Sequence, residues 1–341
     1  MRIGIVNDLA LVREVLRRVV VAVPGYTIAW TAEDGDDGVR KSAADRPDVI
    51  LMDLVMPRLN GVEATRQIMQ QSPCPILIVT SSISSNFPLV FQALGAGGVD
   101  AVDTPTLGPS GIIRNHEKLV ARLLKLECAL NDVSGSSVVL APLSSGSGVL
   151  PTLVLLGAST GGPDALVHVI SAFPTDFPAA VLISQHIGAD FAPGLVQQLA
   201  TWCRLPVRAA KDGDVPLAGI VYVAATDDHM ELGADRQLRY TASPRNSPYR
   251  PSVDVLFTSA AVHSTSLGFA ALLTGMGRDG AAGLLRLRSA GWHTIAQDEA
   301  TSVVKDGMPK AAVDQRAAVE VLPLQQIGPS IVAKLLARKR R

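Results

Sequence analysis

The sequence predicts a mostly parallel α/β protein made of two doubly wound domains joined by a flexible linker. Three observations predict it. Short apolar runs alternate with amphipathic stretches through residues 1–125, the alternation begins again near residue 151, and a small, polar segment separates the two series. A chain of 341 residues suits two domains, and either half is long enough to bury a core of its own.

In order along the chain, strands are expected at 2–6, 27–31, 49–52, 76–80 and 101–102. Helices are expected at 9–21, 37–44, 62–70, 86–94 and 112–129. Five strand–helix repeats read as a five-stranded parallel sheet wrapped on both faces, domain 1–125. Asp132-Val133-Ser134-Gly135-Ser136-Ser137 and Ser144-Ser145-Gly146-Ser147-Gly148 read as a linker over 126–150, with 138–143 as an apolar docking patch within it. The second domain, 151–341, is expected to place strands at 152–156, 180–184, 207–210, 220–224, 268–273 and 293–296, and helices at 163–173, 191–202, 253–263 and 281–289.

Composition excludes several classes of function. Hydrophobic residues make up 48% and charged residues 18%, a globular balance. Lys plus Arg (31) equals Asp plus Glu (31) and aromatics are only 4%, so neither a basic field nor a base-stacking surface points to nucleic acid. No apolar run approaches the ~20 residues of a membrane span. The first residues read as a strand and not a signal peptide. Cys74, Cys128 and Cys203 lack metal-ligand spacing and suit a reducing compartment, so a cytoplasmic protein is expected, without membrane insertion. The cations Lys334 and Arg338-Lys339-Arg340-Arg341 read as the end of a final helix, where they complement its dipole.

Chemistry concentrates in a few turns. Ser159 lies in Gly157-Ala158-Ser159-Thr160-Gly161-Gly162, directly after Leu153-Val154-Leu155-Leu156. A glycine-flanked serine between strand and helix is lifted to the carboxyl edge of a parallel sheet, where open α/β folds place their sites. The glycine spacing does not fit the G-x-G-x-x-G of a dinucleotide-binding turn. A serine nucleophile needs a base, and the base an orienting acid. Of the six histidines, His168 suits helix packing, His116 and His263 lie on or at the end of helices, and His229 and His293 are weak candidates. His186 follows the run Ala180-Val181-Leu182-Ile183-Ser184-Gln185, whose carboxyl end should adjoin the serine turn. The acid candidate, Asp279, lies in Thr274-Gly275-Met276-Gly277-Arg278-Asp279-Gly280; there it could equally act as an N-cap. Thr160 and the Met276 N–H are candidates for substrate and oxyanion binding.

In the first domain, Val49-Ile50-Leu51-Met52-Asp53 ends a strand in a carboxylate, and Asp8 and Thr80 should reach the same sheet edge. Paired acids of this kind can hold Mg²⁺ while one of them attacks a phosphoryl group.

Asp53-Leu54-Val55-Met56-Pro57 with Asn60-Gly61 resembles the flavodoxin-like receiver domain of response regulators. The resemblance implies Asp53 as phospho-acceptor, Asp8 and Asp53 as Mg²⁺ ligands, Thr80 as switch hydroxyl and a histidine kinase as phosphodonor. Two departures stand out: Asn7-Asp8 replaces a pair of acids, and Thr104 stands where receivers carry a lysine. The Ser159, His186 and Asp279 turns, with Arg250-Pro251-Ser252-Val253-Asp254, resemble the CheB family of chemotaxis methylesterases. That resemblance implies Ser159 as nucleophile, His186 as base, Asp279 as its partner, no cofactor for catalysis, and methylated glutamates or glutamines on the cytoplasmic helices of chemoreceptors as substrates. The stretches Val6-Asn7-Asp8 and Asp103-Thr104-Pro105-Thr106-Leu107-Gly108 are closer to its Wsp-type branch. Three readings follow: a phosphorylation-gated protein methylesterase, a receptor-docked adaptor with a degenerate receiver, and a hydrolase of small esters.

Overall fold

The computed structural model describes residues 1–83, 85–108, 112–131, 151–245 and 247–339. The chain divides into two compact units, Met1–Asn131 and Asp132–Arg341.

In the N-terminal unit, strands β1 (Arg2–Val6), β2 (Thr27–Ala32), β3 (Val49–Met52), β4 (Ile76–Thr80) and β5 (Asp100–Asp103) form one parallel sheet in the order β2-β1-β3-β4-β5. Helices α1 (Ala10–Val21), α2 (Gly35–Ala44), α3 (Gly61–Gln71) and α4 (Phe87–Gly95) connect them. β3 is buried throughout, as expected of a central strand covered on both faces. Ile3, Ile5, Leu51, Leu77, Leu119 and Leu123 share one core. The helix starts follow local chemistry: Asp34 accepts from the Asp37 N–H and Asn60 from the Glu63 N–H.

The helix expected over 112–129 is corrected at its start. A short antiparallel pair, β6 (Thr106–Leu107) and β7 (Ile113–Arg114), comes first, with the Gly108 N–H donating to Ile112 O at 2.9 Å. Helix α5 (Glu117–Asn131) begins only afterwards. Ile113 packs toward the core from the hairpin, so its apolar character reported burial and not helical phase. Residues 126–131, read as linker, are helical, and the rest of that stretch, including 138–143, lies outside the described residues.

The C-terminal unit is built on seven parallel strands in the order β10-β11-β9-β8-β14-β15-β16. They are β8 (Thr152–Ala158), β9 (Ala179–Gln185), β10 (Val207–Ala209), β11 (Val221–Val223), β14 (Phe269–Leu272), β15 (His293–Gln297) and β16 (Glu320–Leu322). Helices α6 (Gly162–Ile170), α7 (Ala192–Trp202), α8 (Val253–His263), α9 (Ala281–Ser289), α10 (Met308–Asp314) and α11 (Leu324–Lys339) surround them. A separate hairpin pairs β12 (His229–Leu232) with β13 (Leu238–Thr241). This hairpin, β16 and α10 lack sequence expectations of their own. β8 is the switch point: the chain adds β9 on one side of it and later β14 on the other, and such a crevice is where open sheets bind ligands.

On α11, Lys334 pairs with Glu320 at 2.9 Å, and Arg338 donates to Leu267 O and lies 4.6 Å over the Phe269 ring. These cations therefore bind neighbouring elements rather than only complementing the dipole of their own helix. Among the described residues no helix is long and apolar enough to cross a membrane.

Candidate active site

The carboxyl ends of β8, β9 and β14 bring the three predicted turns to one edge. Ala158 and Gln185 are paired in register, so Ser159 and His186 leave adjacent strands at the same height, and the His186 N–H donates to Ala158 O at 3.1 Å. From the other side, the Ser159 N–H donates to Thr274 O at 3.0 Å. A Cβ on Gly275 would come within 2.6 Å of Ser159 Cβ, so only glycine lets the two turns touch. Thr274 fastens the junction: its hydroxyl donates to Thr160 O at 3.1 Å and accepts the Val303 N–H, while its own N–H donates to Gln297 Oε1 at 2.8 Å.

His186 and Asp279 meet directly, with Nε2 and Oδ2 2.7 Å apart and side chains 10% and 4% exposed. Asp279 does not cap its own helix, whose N-cap is Gly280. Its carboxylate lies instead on the first turn of α8, where it accepts the Ser252 hydroxyl (2.8 Å), the Val253 N–H (2.6 Å) and the Asp254 N–H (3.1 Å). Burial would push this acid up. The hydrogen bond and charge of His186, the Val253 N–H and the Ser252 hydroxyl more than offset it, and Asp279 stays below the ordinary 3.8. The positive end of α8 favours the same anion. Next to it, burial first and then the charge of Asp279 drive Asp254 well above 3.8.

Ser159 is half-buried, and its hydroxyl makes no hydrogen bond among the described residues. With Nε2 engaged by Asp279, Nδ1 is the ring nitrogen of His186 that makes no hydrogen bond among the described residues. Met276 is half-buried, whereas Thr160 is 2% exposed with its hydroxyl lacking a partner among the described residues.

Three contributors stand outside the residues that the sequence assigns to the site; two have no assigned role, and His229 is only a weak candidate for the base. Tyr249 stacks on the His186 ring at 4.8 Å and 17°. His229, fully buried, accepts the Ser252 N–H on Nδ1 at 3.0 Å and so stands behind the Asp279 platform. Gln185 donates to Ser159 O at 2.8 Å. Of these, His229 is a weak candidate among the histidines and Gln185 is a polar residue closing an apolar strand, whereas Tyr249 carries no signal in the sequence. His168 is exposed and bonds Asp164 O within its own helix, and His293 faces Glu320 at the amino end of β15.

In the N-terminal unit, Asp53 follows β3, and Asp8 follows β1 across the switch point of that sheet. Asp53 Oδ1 accepts the Leu54 N–H at 2.7 Å, and Oδ2 accepts Asn7 Nδ2 at 2.9 Å. The Asn7 oxygen is taken by the Leu9 N–H, so the amide can only donate to Asp53. Burial, with a smaller contribution from Asp8, raises the Asp53 pKa to about 6. Asp8, Asp53, Val55 and Thr104 line a cavity of about 480 Å³. Thr80 is fully buried at the end of β4, where its hydroxyl accepts Asn86 Nδ2 at 2.8 Å. A Cβ on Gly61 would overlap the Asp53 carbonyl, which accounts for the glycine after Asn60. Mg²⁺ takes one or two carboxylates and keeps the rest of its shell as water or phosphate, and Asp8 and Asp53 fit that demand.

Comparison with known proteins matches residues 154–331 to the CheB methylesterase family and residues 3–107 to the response regulator receiver domain. The chain is 48% identical over its whole length to a protein-glutamate methylesterase/protein-glutamine glutaminase of Burkholderia thailandensis, covering 99% of that protein. It is 48% identical over 97% of its length to one of Mesorhizobium japonicum, covering 98% of that relative. The crystal structure of the Thermotoga maritima CheB methylesterase catalytic domain superposes with a TM-score of 0.51 at 35% identity, covering 54% of this chain and 99% of that one. With its serine turn, its buried His–Asp pair and its acidic N-terminal pocket each inside the matched regions, the chain belongs to the CheB methylesterase family and carries a response regulator receiver domain ahead of the esterase fold.

Proposed function

We propose that the chain is a protein-glutamate methylesterase and protein-glutamine glutaminase, acting on cytoplasmic helices of chemoreceptors under control of its receiver. The observation that carries the catalytic reading is the 2.7 Å bond between His186 and Asp279 at the strand end beside Ser159.

Ser159 Oγ attacks the γ-ester carbonyl while His186 accepts its proton on Nδ1. The N–H groups of Thr160 and Met276 meet the developing oxyanion. His186 returns the proton to the departing methanol, and water resolves the acyl-enzyme by the same route. With a glutamine, ammonia leaves in place of methanol. Asp279 keeps the proton of the neutral imidazole on Nε2, so that Nδ1 is free to accept.

In the receiver, Asp53 accepts a phosphoryl group from a histidine kinase, and Thr80 is the switch hydroxyl. A Mg²⁺ ion there would be held by Asp8 and Asp53; bound, it neutralises charge on the transferring phosphoryl group. The receiver runs through α5 to Asn131, past the boundary expected at 125, the esterase occupies 151–341, and the working compartment is the cytoplasm. The test is methanol release from methylated receptor membranes, with and without a small phosphodonor, for wild type and Ser159→Ala. Release abolished by Ser159→Ala and stimulated by the phosphodonor supports both halves. Undiminished release from Ser159→Ala removes the serine from the mechanism.

A further inference from the structure

Gln185 closes β9 and is 2% exposed, yet its carboxamide reaches both catalytic turns. Nε2 donates to Ser159 O at 2.8 Å and to His186 O at 3.2 Å. Because both groups it faces are acceptors, that end of the amide must be the nitrogen. Ser159 O also accepts the Gly162 N–H at 2.7 Å, so two donors hold this one carbonyl toward the protein interior.

A trans peptide is planar, with its C=O and N–H pointing in opposite directions. Fixing Ser159 O inward therefore turns the next N–H, that of Thr160, outward. The Thr160 N–H makes no hydrogen bond among the described residues. The last glycine of the turn has its explanation here as well. A Cβ on Gly162 would overlap Gln185 Oε1 and crowd Ala158 Cβ at 2.9 Å, so glycine is what fits beside the carboxamide.

The arrangement is not one that stability alone selects. Gln185 Oε1 is buried without a hydrogen-bond partner among the described residues. An unpaired buried acceptor costs about 1–3 kcal/mol. A methionine of similar length would fill the space without that cost. Local rules broken in this way mark functional positions.

We propose that Gln185 is a positioning residue, holding the Ser159–Thr160 peptide so that the Thr160 N–H faces the oxyanion and tying the serine turn to the histidine turn. The inference rests on the hydrolase reading of Ser159 and His186.

The experiment compares wild type, Gln185→Met and the isosteric Gln185→Glu in the full chain. Two readouts are taken: kcat and KM for methanol release from methylated receptor, and the rate at which a fluorophosphonate modifies Ser159. In the second, the Oγ–P bond forms, the P–F bond breaks, fluoride leaves and the serine proton passes to His186, with no receptor required. Loss of an oxyanion donor costs about 10²–10³ in kcat; a donor turned away but still present should cost about 10–100-fold. The expected result is that loss in kcat at unchanged KM, with phosphonylation slowed in parallel. Variants that melt like wild type with kcat within threefold, or a rise in KM alone, would each overturn the assignment. If one Gln185 variant does not fold, the other decides. Phosphonylation without methanol release in wild type would refute the substrate while leaving the role of Gln185 measurable.

Discussion

Asp279→Asn separates what the acid does for charge from what it does for geometry. Four donors converge on the carboxylate: Val253 N–H (2.6 Å) and His186 (2.7 Å) on Oδ2, Ser252 Oγ (2.8 Å) and Asp254 N–H (3.1 Å) on Oδ1. An amide has one accepting oxygen. With the oxygen at Oδ1, its NH₂ opposes the Val253 N–H across the shortest of these bonds and donates to His186 Nε2, forcing the ring proton onto Nδ1. With the oxygen at Oδ2, both short bonds survive. The NH₂ then faces the Ser252 hydroxyl, which can turn to accept, and opposes only the longer Asp254 N–H. The second orientation is cheaper, so the productive tautomer is retained and the anion alone is lost. Hydrogen bonds to charged groups contribute about 1.5–3 kcal/mol against about 1 for neutral ones. The difference is about 0.5–2 kcal/mol, so at 1.36 kcal/mol per tenfold kcat should fall about 2–30-fold, short of the ~10⁴ that follows a wrong tautomer. Methanol release by folded Asp279→Asn measures it. A folded Asp279→Asn with wild-type kcat would refute the role of the His186–Asp279 bond.

Three further outcomes follow from neighbouring residues. Burial depresses the pKa of His229 below 6.5, against the Pro244 bond; the charge of Arg250 lowers it too, while Asp279 and Asp228 raise it. As pH drops below 6.5 the unfolded chain takes up a proton that the folded one refuses, so the His229 contribution is present above 6.5 and lost as pH falls toward the folded pKa. His229→Asn, which keeps an acceptor for the Ser252 N–H, should flatten the acid side of the Tm profile; an unchanged slope in thermal melts would count against it. Tyr249→Ala removes the ring stacked on His186, an interaction worth about 0.5–1.5 kcal/mol, and should lower kcat by about 2–10-fold with little change in Tm, read by methanol release and melting. Asn7→Asp replaces the amide on Asp53 with a further carboxylate and should tighten Mg²⁺ binding and speed phosphorylation by a small phosphodonor; titration calorimetry showing unaltered affinity would mean that Asp8 and Asp53 alone set the site.

What was legible in the sequence is what a parallel sheet dictates. Apolar runs that end in Asp53, Ser159 and Gln185-His186 deliver those residues to carboxyl edges whatever the loops do, because strand ends are where buried backbone must turn. The hidden part is what arrives laterally. Tyr249 and His229 come from segments with no regular apolar period, and their meaning depends on reaching the Asp279 platform from outside the parallel sheet. The hairpin at Thr106–Leu107 and Ile113–Arg114 was masked because an apolar pair beside a helix start carries the same periodic signal as one more helical turn. Asp279 shows the limit most sharply. An acid next to a helix start reads as that helix's cap, but here the glycine after it takes the cap and the carboxylate turns to α8. The same N–H groups that keep it ionised in a buried site also fix it against His186, so the first turn of α8 sets the geometry of the His186–Asp279 pair through its backbone.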